Sequence, residues 1–171
     1  MDILRINFTD WPLPDSYLLE IGRVAALWVH LESLLNLCIC KLAGFDNLDD
    51  PEAFSLVNNK SFSQRIDIFS ALCKQSFQEY PNPNEYKGAV YRLQEAQKLS
   101  NDFIHYGMVV NPESGSVEME KGTAKVGVSI FDLRRAYMHI HIGYRELYEL
   151  ELTQDIFPYW DPYGKHRSER P

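Results

Sequence analysis

The stretch from Asp15 to Ala43 constrains this chain more than any other. Its apolar positions Tyr17, Ile21, Val24, Trp28, Leu31, Leu35, Cys38 and Leu42 keep alternating three- and four-residue spacing, the period of an α-helix, and Gly44 follows as a C-terminal cap. The other sides of the same helix carry Ala25, Leu27, Leu34, Leu37 and Ile39. A helix that is apolar on more than one side has to be covered on more than one side. The segment therefore belongs at the centre of a helical bundle or at a seam between two copies of the chain. A run of about 20 apolar residues also suits a membrane span. Here His30, Glu32, Asn36 and Lys41 interrupt the run between Val24 and Gly44, and charge inside a bilayer is costly. A buried core helix is the favoured reading, and no membrane partner is expected.

The remaining segments supply the cover. After the acidic link from Asp46 to Asp50, Pro51 suits a first helical turn and opens a short helix, Pro-Glu-Ala-Phe-Ser-Leu-Val. Ser61 and Gln64 have capping-box spacing, and Phe62, Ile66, Phe69, Cys73 and Phe77 follow at helical period. Pro81 and Pro83 break the chain, Asn84 suits a cap, and a third major helix carries Tyr86, Leu93, Ala96 and Ile104 before Gly107 ends it. From Met108 to Val128 the composition shifts to Val, Thr, Gly and Ser, which predicts a small β-hairpin of Val117–Met119 and Ala124–Val128. Ser129 and Asp132 form another capping box, and Leu133, Tyr137, Ile140, Tyr144 and Leu147 carry a last helix to about Leu152. The expected fold is all-α, a bundle of about four main helices with a β-hairpin insertion before the last one. Residues 1–156 form one domain in this reading, and the tail 157–171, with three prolines and Lys165, His166, Arg167 and Arg170, is an exposed or partly disordered end.

Composition narrows the function classes. A chain of 171 residues with 45% hydrophobic content buries one core. Its net charge of −7 argues against a general electrostatic grip on nucleic acid, so any RNA contact has to be local or built by oligomerisation. Met1 to Pro14 lacks the basic start and apolar core of a secretory signal, which makes a cytoplasmic location the expectation. Cys38, Cys40 and Cys73 cannot all pair, and they read as small buried hydrophobes. His139 and His141 diverge by about 200° on a helix, so shared metal ligation is disfavoured, and no metal or cofactor is expected. The chain holds no glycine-rich phosphate loop, nucleophile elbow or zinc-type Cys/His pairing.

What chemistry remains sits in Ser100-Asn-Asp-Phe-Ile-His-Tyr-Gly107. Lys98, Asn101, Asp102 and His105 fall three, four and seven residues apart and share one helical face. A polar stripe that ends in histidine has two readings. Imidazole accepts and donates protons near neutrality, as phosphodiester or acyl transfer requires. A histidine in a last turn also simply complements the negative end of the helix dipole. Arg134 and Arg135, at the start of the last helix where the dipole disfavours them, would join Arg92 and Lys98 in phosphate contacts if the two helices lie side by side. His30 and Glu32 would need partners if buried in the first helix.

Three segments carry a resemblance: Leu31-Glu-Ser-Leu-Leu-Asn-Leu in the first helix, Ser61-Phe-Ser-Gln-Arg-Ile-Asp-Ile-Phe in the second, and the Ser100–Gly107 helix end. Together, in this order and followed by a hairpin and a final helix, they resemble the HEPN superfamily, compact helical domains named for higher eukaryotes and prokaryotes nucleotide-binding. Its members often end the motif helix in Arg-Asn-x-x-x-His-Gly. Here Asn101 and His105 match, glycine falls one residue later, and Ser100 stands in place of the arginine. The resemblance implies a homodimer whose two motif helices line one cleft and, in active members, metal-independent RNA cleavage of the prokaryotic defence or toxin–antitoxin type. It implies His105 as acid or base, Asn101 as an orienting group and an arginine on the phosphate, at the position that Ser100 occupies here; by helical spacing alone, Asp102 would assist and Lys98, on the His105 face, would be a substrate contact that partly substitutes for the guanidinium. A serine hydroxyl supplies neither the fork nor the charge of an arginine. The competing expectation is a non-catalytic dimer that binds RNA, a nucleotide or a cognate regulatory protein.

Overall fold

The structure is a computed structural model and describes residues 13–45, 50–76 and 85–152. The expected tail at 157–171, residues 46–49 of the acidic link, the Asn84 cap and Phe77 lie outside the described residues. Five helices and three strands follow in the order α1 (Asp15–Leu42), α2 (Pro51–Val57), α3 (Phe62–Ser76), α4 (Glu85–His105), β1 (Met108–Val110), β2 (Val117–Lys121), β3 (Ala124–Gly127) and α5 (Ile130–Leu152).

Helix α1 takes the central place that its apolar sides demand, packing against α5, α3 and α2 and touching α4. It is long and apolar enough to cross a membrane by length and composition, but Val24, Leu31, Leu35, Cys38 and Ile39 are sealed in the protein core. It stops in a Schellman arrangement. The Phe45 amide donates to the Cys40 carbonyl at 2.9 Å and the Gly44 amide to Lys41 at 3.0 Å, with Gly44 at φ +89°, a conformation that side chains with a Cβ resist. His30 is exposed, and Glu32 pairs with Arg65 at 3.5 Å, so neither burdens the core.

The capping signals fold as read. The Ser61 amide donates to Gln64 Oε1 at 2.8 Å and the Gln64 amide to Ser61 Oγ at 3.3 Å, a reciprocal box that starts α3. Asp50 accepts from the Glu52 amide at 2.8 Å to start α2. Helix α3 then buries Phe62, Ile66, Phe69 and Cys73 against α1, with the Phe62 ring 4.5 Å from that of Trp28. Helices α4 and α5 pack closely side by side, where Gly143 meets the backbone of Arg92 and the methyl of Ala96. The three cysteines are buried and form no disulfide, and desolvation pushes the Cys73 thiol up to about 12.

The expected hairpin is present as β2 and β3, and β1 extends it to a three-stranded antiparallel sheet in the order β1-β2-β3. β1 is the strand missing from the sequence reading. Met108 pairs with Met119 and Val110 with Val117, while Asn111 closes the loop between them by accepting from the Glu113 and Ser114 amides. Three residues show no measurable alternation, and the loop that follows is longer than a tight hairpin turn. β2 and β3 join through Gly122 at φ +62°, as a turn with glycine in its first central position requires. The register puts Val117, Met119, Met108 and Val110 on one face. That face packs with Leu13, Val128 and Leu133 in a second, smaller cluster, to which Phe103 of α4 also belongs. Phe103 packs against the main core too and so couples the sheet to the bundle.

Candidate functional site

The stripe on α4 comes out as its spacing predicts, with one residue turned inward. Lys98, Asn101 and His105 are exposed and Asp102 is half-buried, all along the last turns of α4. Ser100 is 0% exposed, and its hydroxyl finds no hydrogen-bond partner among the described residues. The position that matches the family arginine therefore faces the core, where a guanidinium would be desolvated without a counter-charge. His105 sits in the last turn of α4, where a positive charge also complements the dipole. Its imidazole makes no hydrogen bond among the described residues.

One residue outside the sequence-derived set holds this end of the helix. Lys121, at the end of β2, places its Nζ on Asp102 Oδ2 and lies 5.6 Å from the centre of the Tyr106 ring. Through these contacts β2 holds the turn that presents Asn101 and His105. Nothing in the sequence singled out Lys121, because its role depends on the sheet register that carries it beneath α4.

A cleft of about 270 Å³ opens beside the stripe, between the end of α4, the strands β2 and β3, and the start of α5. Lys98 and Asp102 enter it from α4, Lys121 from β2, and Asp132 and Arg135 from α5. Leu99, Phe103, Met119, Val126 and Val128 supply apolar surface, while Asn101 and His105 do not line it. Of the expected phosphate contacts, the fold brings Lys98 and Arg135 together. Arg134 turns the other way and donates to Glu20 Oε1 at 2.9 Å, and the Arg92 guanidinium lies 5.6 Å from the centre of the Tyr91 ring.

Two carboxylates nearby are held ionised. The Ser129 hydroxyl donates to Asp132 Oδ2 at 2.6 Å, and this bond, reinforced by the Ser129 amide at 3.0 Å, lowers the Asp132 pKa. Glu20 is covered by its own partners. The Arg134 hydrogen bond lowers its pKa first, and Arg23, at 3.3 Å, adds to it. Among the described residues no group of three or more His, Cys, Asp and Glu side chains is arranged to hold a metal ion. His139 is half-buried, while His141 is exposed and stacks its ring near Tyr137 at 6.3 Å. Comparison of the chain with family models, with curated proteins and with solved structures found no match.

Proposed function

We propose that this is an HEPN-like, RNA-targeting protein that engages its substrate at the end of α4. In this reading Lys98 contacts the phosphate, Asn101 orients the backbone and His105 moves the proton in a metal-independent cleavage. The observation that carries it is the run of Lys98, Asn101 and His105 along one exposed side of the helix end, within reach of a polymer too large for the adjacent cleft. The chemistry is transesterification. A ribose 2′-oxygen bonds to the neighbouring phosphorus as the bond to the 5′-oxygen breaks, a base takes the 2′-hydroxyl proton, and an acid protonates the leaving oxygen. In a two-fold dimer the two copies of His105 fill both roles.

A second reading has its own support. Ser100 is buried, so no cation emerges at the motif's arginine position, and no carboxylate orients His105 among the described residues. Both absences suit a dimer that holds RNA, a nucleotide or a cognate regulatory protein without cutting. A cleavage assay in EDTA separates the two. The enzyme reading expects cutting by the unaltered chain and a loss of about 100-fold or more in His105→Ala. Cutting that is indifferent to His105 contradicts it. RNA retention without cutting, weakened by Lys98→Ala, supports the binding reading, and neither retention nor cutting contradicts both.

A further inference from the structure

We infer that the cleft beside α4 binds a compact organic anion, a phosphate monoester or a carboxylate on one apolar or aromatic body, with the anionic group between Lys98 and Arg135. This goes beyond the RNA reading and does not depend on His105.

The charge balance of the cleft supports this. Three cations, Lys98, Lys121 and Arg135, face two carboxylates, Asp102 and Asp132, inside a chain whose net charge is −7. Both carboxylates are already engaged, Asp102 by Lys121 and Asp132 by Ser129. Lys98 has no ion-pair partner among the described residues, and Arg135 has only the nearby charge of Asp132. A guanidinium fork donates to two oxygens of a phosphate or carboxylate, and a lysine adds a point charge without fixed geometry.

The walls and the size set the rest of the ligand. Leu99, Phe103 and Val126 offer an apolar wall, backed by the buried Met119 and Val128, that inorganic phosphate alone would leave wet. At about 270 Å³ the space lies just under the range of about 300–1,000 Å³ typical of small-molecule sites. One ring with one anionic group fits it, and a folded polymer does not.

Isothermal titration calorimetry on the full chain tests the assignment with phenyl phosphate, benzoate, phenol and inorganic phosphate as probes. At least one aryl anion is expected to bind with a dissociation constant of about 1 mM or tighter. Preference for phenyl phosphate assigns a phosphate monoester, and preference for benzoate a carboxylate. Phenol and inorganic phosphate bind about tenfold more weakly, since each keeps only half of the contacts. Arg135→Ala weakens the aryl anion about tenfold by removing the fork. Val126→Asp, at a position 44% exposed where the fold tolerates a polar side chain, weakens it by a similar factor through repulsion. Circular dichroism confirms that each variant is folded. No binding of either aryl anion at about 10 mM, equal binding of phenol, or binding unchanged in both variants overturns the assignment. The two sites share Lys98, so RNA cleavage in EDTA is read on His105→Ala and Arg135→Ala: loss in the first alone reports on the RNA reading, and weakened aryl-anion binding in the second alone reports on this cleft.

Discussion

The helical core and the sheet end of this molecule are built on opposite rules. Between α1, α3, α4 and α5 the buried side chains are almost all apolar, with Leu31, Leu35, Ile39, Phe69, Leu93, Ile140 and Leu147 nearly sealed from solvent. Beneath the sheet, among the described residues, Leu13, Val117, Met119, Val128 and Leu133 form the buried cluster, and charged groups crowd its rim. A large dry core specifies the fold and a small one leaves room for polar chemistry. The chain thus concentrates its stability in one region and its candidate chemistry in the other. Ser100 lies where the two regimes meet, on the helix that serves both.

The sharpest way to break this division is to put a charge on the wrong side of α4. Ser100→Arg, which would place an arginine where the resembled motif has one, is expected to cost about 4 kcal/mol or more because the guanidinium is buried without a partner. The opposite change is expected to help. Ser100→Ala removes a buried hydroxyl with no bond and should gain about 1 kcal/mol in urea unfolding. A stable, cleaving Ser100→Arg protein would show that this position opens toward the site.

Truncation compares the two cores directly. Phe69→Ala should lose about 3–4 kcal/mol, as expected for a large ring in a well-packed interior, and Met119→Ala about 2 kcal/mol because the thinner cluster relaxes around the gap. Chemical denaturation measures both, and equal losses would remove the distinction. The acid side of the stability profile gives a smaller effect. Asp132 and Glu20 have folded pKa values below their ordinary ones, so their contribution is complete above the ordinary carboxylate range, about 4. It is lost as pH falls through the depressed folded values. Ser129→Ala should remove about 1 kcal/mol near neutrality and flatten the Asp132 part of that acid loss. Thermal unfolding from pH 7 downward checks the sign. The smallest effect is Gly143→Ala. A methyl there stands 3.5 Å from the Arg92 carbonyl oxygen, an ordinary contact, so the gain in helix propensity of about 0.5 kcal/mol should survive.

The bundle was legible from the chain because its signals are local. Capping pairs at Ser61/Gln64 and Ser129/Asp132 and the apolar period of α1 each act within a turn or two, and each appears in the fold. β1 was not legible, since a strand of three residues is defined by its partner rather than by its own pattern. The same limit applies to the site. Helical spacing places Lys98, Asn101, Asp102 and His105 together, yet it cannot say which neighbouring side faces inward, and Ser100 proved to be that side. Lys121 and the cleft depend on contacts between elements far apart in sequence, and Glu20 with Arg134 is a pairing of the same kind.

If RNA is engaged at the end of α4 and the sheet, the middles of the helices are left unperturbed when it binds. Titrating the amide NMR spectrum with a short single-stranded RNA in EDTA tests it most directly. Shifts are expected to concentrate in Lys98–Gly107, with smaller ones around Lys121. Shifts confined to the middle of α1 or α5, or no shifts at all, would contradict it.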